Sequence, residues 1–369
     1  MNNKLKLTIK FAVSVTITAL MVFFAEILNE PEIIFPEIAA LTVGAFITPR
    51  MPWNVTPIRM LILMSLSALM GYGLSVFVPL PLYIKVVIAF TVCIMTLSAA
   101  GSTMLPMISA GVLPLLTNVQ SMIYPISVLI LTAIIIGVRA LLEKYKLADE
   151  IIFSVERPEP KEELIRKIWL IIIFAAVAGV AISSGMIFII APPLAVVFAE
   201  TAYIDSPVHK APFRFFLCIV LCAFAGTSCR LIFFDLFRMP MTVGVTVSVS
   251  AAIFLLVLFQ KPFPPAAALA VLPFIINESA VALYPFQVTI GAAVFISLNL
   301  LYKKAVNKGI FIRIVNWIID FVKSTQIIQP QRKPVPTEKD MAEKYDEFVM
   351  PVEVVTETPV KESNIRRRL

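Results

Sequence analysis

The stretch Lys261–Pro285, KPFPPAAALAVLPFIINESAVALYP, decides the reading of this chain. It sets a double proline, a short run of small apolar residues, a Leu-Pro step, an Asn and a Tyr-Pro inside an otherwise hydrophobic sequence. A weaker copy lies upstream as Pro106, Leu113-Pro114, Asn118 and Tyr124-Pro125. Its landmarks match Pro265, Leu272-Pro273, Asn277 and Tyr284-Pro285 at offsets of 159 residues, and 160 for the last. Proline removes a backbone donor and breaks a helix interior. Two matching breaks in two hydrophobic halves therefore predict short, discontinuous helices at equivalent places, the pattern that marks the working part of a membrane transporter.

Composition agrees with a membrane setting. Of 369 residues, 59% are hydrophobic and 15% charged, with a mean hydropathy of +0.91, whereas soluble domains carry about 25% charged residues. Met1–Lys10 holds three lysines and no acid, and Phe11–Leu28 follows without a small-residue cleavage site. It reads as a first transmembrane helix, not a removed signal. The net charge of +7 is gathered before Phe11, between Arg139 and Lys167, around Lys303–Arg313 and in the tail. That is the positive-inside pattern and not a nucleic-acid footprint. Cys93, Cys218, Cys222 and Cys229 lie in apolar segments without His or carboxylate at ligand spacing, so they read as packing residues, and no metal or cofactor is expected.

A bilayer helix needs about 20 apolar residues. The first half offers Leu7–Leu28, Ile33–Thr48, Ile58–Val78, Leu82–Met104, Met107–Leu116 and Ile123–Leu142. The second repeats the order with Ile168–Ser184, Ile187–Ala202, Phe213–Phe234, Met241–Phe259, Ala266–Ile276 and Leu283–Tyr302. The second and fifth of each set are too short to span upright, so they are tilted, broken or re-entrant. Pro57, Arg59 and Gly71 also match Pro212, Arg214 and Gly226 at an offset of 155. The predicted fold is all-α: a polytopic helical bundle of two parallel internal repeats in the plasma membrane, with eight to twelve segments. Its parts are a first repeat (1–142), a linker (143–167), a second repeat (168–302), an amphipathic interfacial helix (303–323) and a disordered tail (324–369). The basic ends place the N-terminus, linker and C-terminus in the cytoplasm, so that each half crosses an even number of times.

Candidate functional residues follow from cost and position. Arg59 and Arg214 sit in the first turn of long helices, where a cation opposes the macrodipole; they are either snorkelling topology anchors or the rim of an anion-attracting vestibule. Pro106, Pro264 and Pro265 either mark simple boundaries or start discontinuous helices whose N–H groups face a solute. Asn118 and Asn277 are caps or line the outer mouth. Among ionisable groups deep enough to be costly are Glu200, Arg230, Asp235 and Glu278, with Glu200 a candidate proton-coupling carboxylate. Arg230 and Asp235, five apart on one helix, are expected to lie too far round for a good pair, and Asp235 stands instead within reach of Arg238. His209 is expected to be solvated. No phosphate-cradling loop, zincin motif or nucleophile elbow is present, so an enzyme is not expected.

Phe263-Pro264-Pro265-Ala266-Ala267-Ala268-Leu269, with APPLAVVFAE, Ser206-Pro207, Pro212 and Gly226 upstream, resembles the HPP family of integral membrane proteins. The likeness covers Ala191–Tyr302, and Phe35–Leu142 looks like a diverged second copy. Phe263 stands where the family motif has His, so a role for that His is not carried over; Pro264, Pro265, Ala266 and Ala267 are. Some HPP relatives carry nitrite, which implies transport of a small anion here. The first half is also similar, more loosely, to the membrane domains of fusaric-acid and aromatic-acid exporters.

These readings converge on a transporter or channel for a small, anionic solute, in contact with the lipid bilayer, binding no nucleic acid, and able to form a homo-oligomer. Export of aromatic or fusaric-type acids is the alternative solute reading. A scaffold or sensor acting through its cytoplasmic tail is the alternative of another class.

Overall fold

Proline placement sets the element order. In the computed structural model, which describes residues 3–48, 51–148, 160–259, 263–309 and Arg313, prolines open most of the helices. The helices are α1 (Asn3–Leu28), α2 (Glu37–Thr42), α3 (Pro57–Val76), α4 (Leu82–Ala99), α5 (Pro106–Leu116), α6 (Ile123–Lys144), α7 (Pro160–Ser183), α8 (Pro192–Thr201), α9 (Pro212–Cys229), α10 (Met241–Leu258), α11 (Pro264–Val271), α12 (Glu278–Val281) and α13 (Tyr284–Asn307). Pro57, Pro106, Pro192, Pro212 and Pro264 occupy the first turn, where the missing N–H costs nothing and the fixed φ suits a helix. The expected tail, most of the interfacial helix and the middle of the linker lie outside the described residues. The thirteen helices among the described residues belong to one unit, Met1–Phe311.

Among the described residues, eight helices are long and apolar enough to cross a bilayer: α1, α3, α4, α6, α7, α9 with its extension, α10 and α13. Large apolar side chains point away from the protein along them, including Phe24, Ile62, Leu66, Ile130, Ile172, Val180 and Phe254. Such a surface is untenable in water and is the expected lipid face. The chain is a multi-pass membrane protein.

Side-chain anchors fix which ends meet. Lys6 Nζ donates to Lys146 O at 2.8 Å, joining the start of α1 to the end of α6. At the other face Glu32 accepts from Gln120 N and Ser121 N, both at 2.9 Å, ahead of α6. Glu26, near the end of α1, accepts from Met241 N, Thr242 N and Thr242 Oγ1 at the start of α10. A carboxylate there satisfies orphan donors and complements the dipole of α10. Helices α1 and α10 therefore run antiparallel, and the starts of α1, α3 and α9 share one face. Between the halves, Phe90 of α4 stacks on Phe174 of α7 with centroids 3.8 Å apart. Within the second half, Phe198 of α8 stacks on Phe295 of α13 at 4.6 Å.

Four short helices, α2, α5, α8 and α11, gather in the middle. α2 packs on α11 and α5, α5 also packs on α8, and α8 packs on α11. Every residue of α2 and α11 is buried, as is all of α5 except Leu116 and all of α8 except Glu200. Small residues permit this: Ala39, Ala40, Ala110, Gly111, Ala195, Ala199 and Ala266–Ala268 keep the backbones close, which is how helices associate where lipid removes the hydrophobic drive.

Candidate functional site

The breaks in the short helices leave carbonyls that the long helices satisfy. Pro114 has no N–H for the carbonyl four residues back, Ala110 O, and the Tyr124 hydroxyl donates to that oxygen at 2.9 Å. Pro273 leaves Leu269 O free in the same way, and the Tyr284 hydroxyl donates to it at 2.9 Å. Both tyrosines are fully buried. Neighbouring carbonyls are held likewise, Met107 O by Ser67 Oγ at 2.5 Å and Ala270 O by Ser248 Oγ at 2.7 Å. A Cβ on Gly71 would overlap Gly111 O, and one on Gly226 would overlap Ala270 O, so α3 and α9 approach α5 and α11 backbone to backbone.

The helix starts close on themselves. Met107 N and Ile108 N donate to Met104 O and Leu105 O ahead of α5. In α8, Pro192 and Pro193 carry no N–H, and Leu194 N and Ala195 N both reach Ala191 O. In α11, Pro264 and Pro265 carry none, and Ala266 N donates to Phe263 O at 3.1 Å. These donors are not presented to open space, one of the two arrangements that the sequence permits. Pro106, Pro264, Pro265, Ala266 and Ala267 are instead buried where short helices pack on one another.

At the other ends, side chains from the last long helix of each half take up the carbonyls. Arg139 of α6 donates to Ala45 O and pairs with Glu143 at 2.6 Å. Asn299 of α13 donates to Phe198 O at 2.7 Å and to Thr201 Oγ1 at 2.6 Å, while Trp169 Nε1 donates to Asn299 Oδ1 at 3.0 Å. A cavity of about 70 Å³ beside Arg139 is lined by Ala45, Met60 and Ile135 among others.

The other predicted residues are spread over the protein. Arg59 and Arg214 are exposed in the first turns of α3 and α9, on the same face, and make no ion pair among the described residues. Asn118 is exposed just past α5 with φ +53°, in the left-handed region that Asn tolerates; Val119 N reaches back to Pro114 O at 2.9 Å, so Asn118 ends the helix. Asn277 is exposed ahead of α12, and its side chain makes no capping bond. Glu200 is half-buried near the end of α8.

Arg230 and Asp235 correct the sequence reading. They pair at 3.3 Å because α9 continues as a π-helix over Arg230–Leu236, whose wider turn brings positions five apart together. Arg230 Nη1 also donates to Pro273 O at 3.0 Å, and its guanidinium lies 4.8 Å from the centre of the Phe234 ring. His209, expected to be solvated, is half-buried with Nδ1 3.1 Å from Ile204 O. The four cysteines are free and buried.

Glu37 is a site residue that sequence reasoning missed. It is 2% exposed, at the start of α2, with Oε2 lacking any hydrogen-bond partner. Ser109 of α5 lies beside its carboxyl group, and its own hydroxyl is likewise unpaired by hydrogen-bond geometry. Tyr124 and Tyr284 stand within electrostatic range of it. A signal for it exists in the sequence: an acidic residue inside an apolar segment is costly and suggests function.

A helical, multi-pass bundle with short, proline-started helices in its interior is consistent with a membrane transporter or channel. Residues 157–309 match the family model for the HPP transmembrane region. Searches of curated proteins and of solved structures found no match.

Proposed function

We propose that the chain is a transporter or channel for a small solute and that the crossing of α2, α5, α8 and α11 is its path. One observation carries this reading: four short helices from both halves, each with a proline at its start, meet in the buried centre of a membrane bundle. Discontinuous backbone at such depth is tolerated only when protein covers it or it lines a cavity. The cluster is closed in this structure, and solute passes when it separates.

The recurrence of the Tyr–carbonyl, Gly–backbone and helix-end contacts at offsets of 153 to 160 residues supports a duplicated unit, with two parallel copies related by an axis along the membrane normal. The face bearing Lys6, Arg59, Arg139, Lys146, Arg166 and Arg214 is cytoplasmic by its excess of cations, and the plasma membrane is the expected site.

A small anion of nitrite type is the favoured solute. Its support is the HPP-type half together with Arg59 and Arg214 exposed on one face, where they raise the local anion concentration. Initial flux of nitrite, nitrate and benzoate into proteoliposomes tests this. The R59Q/R214Q protein should lose nitrite flux by about fivefold at low salt and regain wild-type behaviour as salt screens the field. Equal nitrite flux at low salt in both proteins refutes the arginine role, and preference for benzoate favours the aromatic-acid reading.

A further inference from the structure

We propose that Glu37 is a proton-binding site at the centre of the half-helix cluster, loading a proton from one aqueous face and releasing it to the other when the cluster opens. The inference rests on the transport reading above and supplies its coupling ion.

The position is enclosed by elements that offer no counter-charge. Helix α2 packs against α1, α5, α6, α11 and the π-turn Val43–Ile47. Neither α5, α11 nor the turn contains an ionisable side chain. On α1 the lysines stand at the far end, and Glu26 is engaged by the start of α10. On α6, Arg139, Glu143 and Lys144 lie near its other end, and Arg139 is held by Glu143 and Ala45 O. The groups that face Glu37 are Tyr124 of α6, Tyr284 of α13 and Ser109 of α5. Both tyrosine protons are already given to Ala110 O and Leu269 O.

An ionised carboxylate there would be buried without a cation and with an unpartnered oxygen, an arrangement that costs several kcal/mol. The protonated acid is neutral and carries a donor that Ser109 can accept. The carboxyl therefore holds its proton while the cluster is closed, and loses it once water enters. Glu200, by contrast, is half-buried near the end of α8.

The test is pH-difference infrared spectroscopy on full-length protein in lipid films, reading the C=O stretch of protonated carboxylic acid. Wild type should show a band that titrates reversibly. E37Q should remove it, E37D should shift it in frequency, and E200Q should leave it in place. Size-exclusion profiles establish that each variant folds, and the E37D shift stands alone if E37Q does not. A band unchanged in both E37Q and E37D, or no protonated-carboxyl band in wild type, overturns the proposal. Loss of this result leaves the transport reading intact, since flux is measured separately.

Discussion

The Tyr284 hydroxyl donates at 2.9 Å to Leu269 O, the carbonyl that Pro273 cannot reach. Tyr124 does the same for Ala110 O, left free by Pro114. The Leu-Pro and Tyr-Pro landmarks of the sequence are thus two halves of one device: the proline opens a carbonyl and the tyrosine closes it. Y284F and Y124F each leave one buried carbonyl unpaired. Each should lower stability by about 1 kcal/mol, the scale of hydrogen bonds between membrane helices. Thermal melting in detergent should give similar shifts for the two, and a difference of several-fold would deny that the sites are equivalent.

Gly71 and Gly226 admit no side chain. G226A would press a methyl group into the backbone of Ala270, and G71A into that of Gly111. Overpacking of this kind costs about 1–3 kcal/mol. Both should melt earlier than wild type, whereas G73A, whose surroundings are open, should not. Intact stability in G226A would contradict the close approach of α9 and α11.

Glu26 joins the first helix to the second half by accepting from Met241 N, Thr242 N and Thr242 Oγ1. E26A removes all three contacts and should cost about 1–2 kcal/mol, as loss of a good N-cap does. E26Q keeps one acceptor oxygen and should cost less. The ordering, read from melting temperatures, checks that α1 is bound by capping and not by packing alone.

Arg230 is buried while Asp235 is a third exposed. D235N should therefore be mild. R230A leaves Pro273 O and Asp235 without a partner and should destabilise more than D235N does. Equal effects would mean that the π-helix does not hold these groups together.

Much of the fold was legible because apolar length and proline position are local signals. The eight long segments and the four short ones follow from runs such as Ile123–Leu142 and steps such as Leu272-Pro273. Two features were not legible, each for a physical reason. The Arg230–Asp235 pair depends on a π-helix, and an α-helical spacing argument places those residues on different faces. The burial of Glu37 depends on α11 crossing α2, a contact between segments more than 200 residues apart. Local sequence shows only that Glu37 follows a proline near the start of an apolar stretch. The exposed placement of Arg59 and Arg214 is common to both roles considered for them, and the flux comparison distinguishes anchor from vestibule.

The most direct test of the central claim is the initial rate of nitrite uptake into proteoliposomes, comparing wild type, P264A/P265A and protein-free vesicles. Wild type should take up nitrite above the protein-free rate, with about a tenfold loss, ~1.4 kcal/mol in the barrier, when the double proline that opens α11 is removed. Wild-type rates equal to protein-free vesicles for nitrite, nitrate and benzoate alike would contradict it.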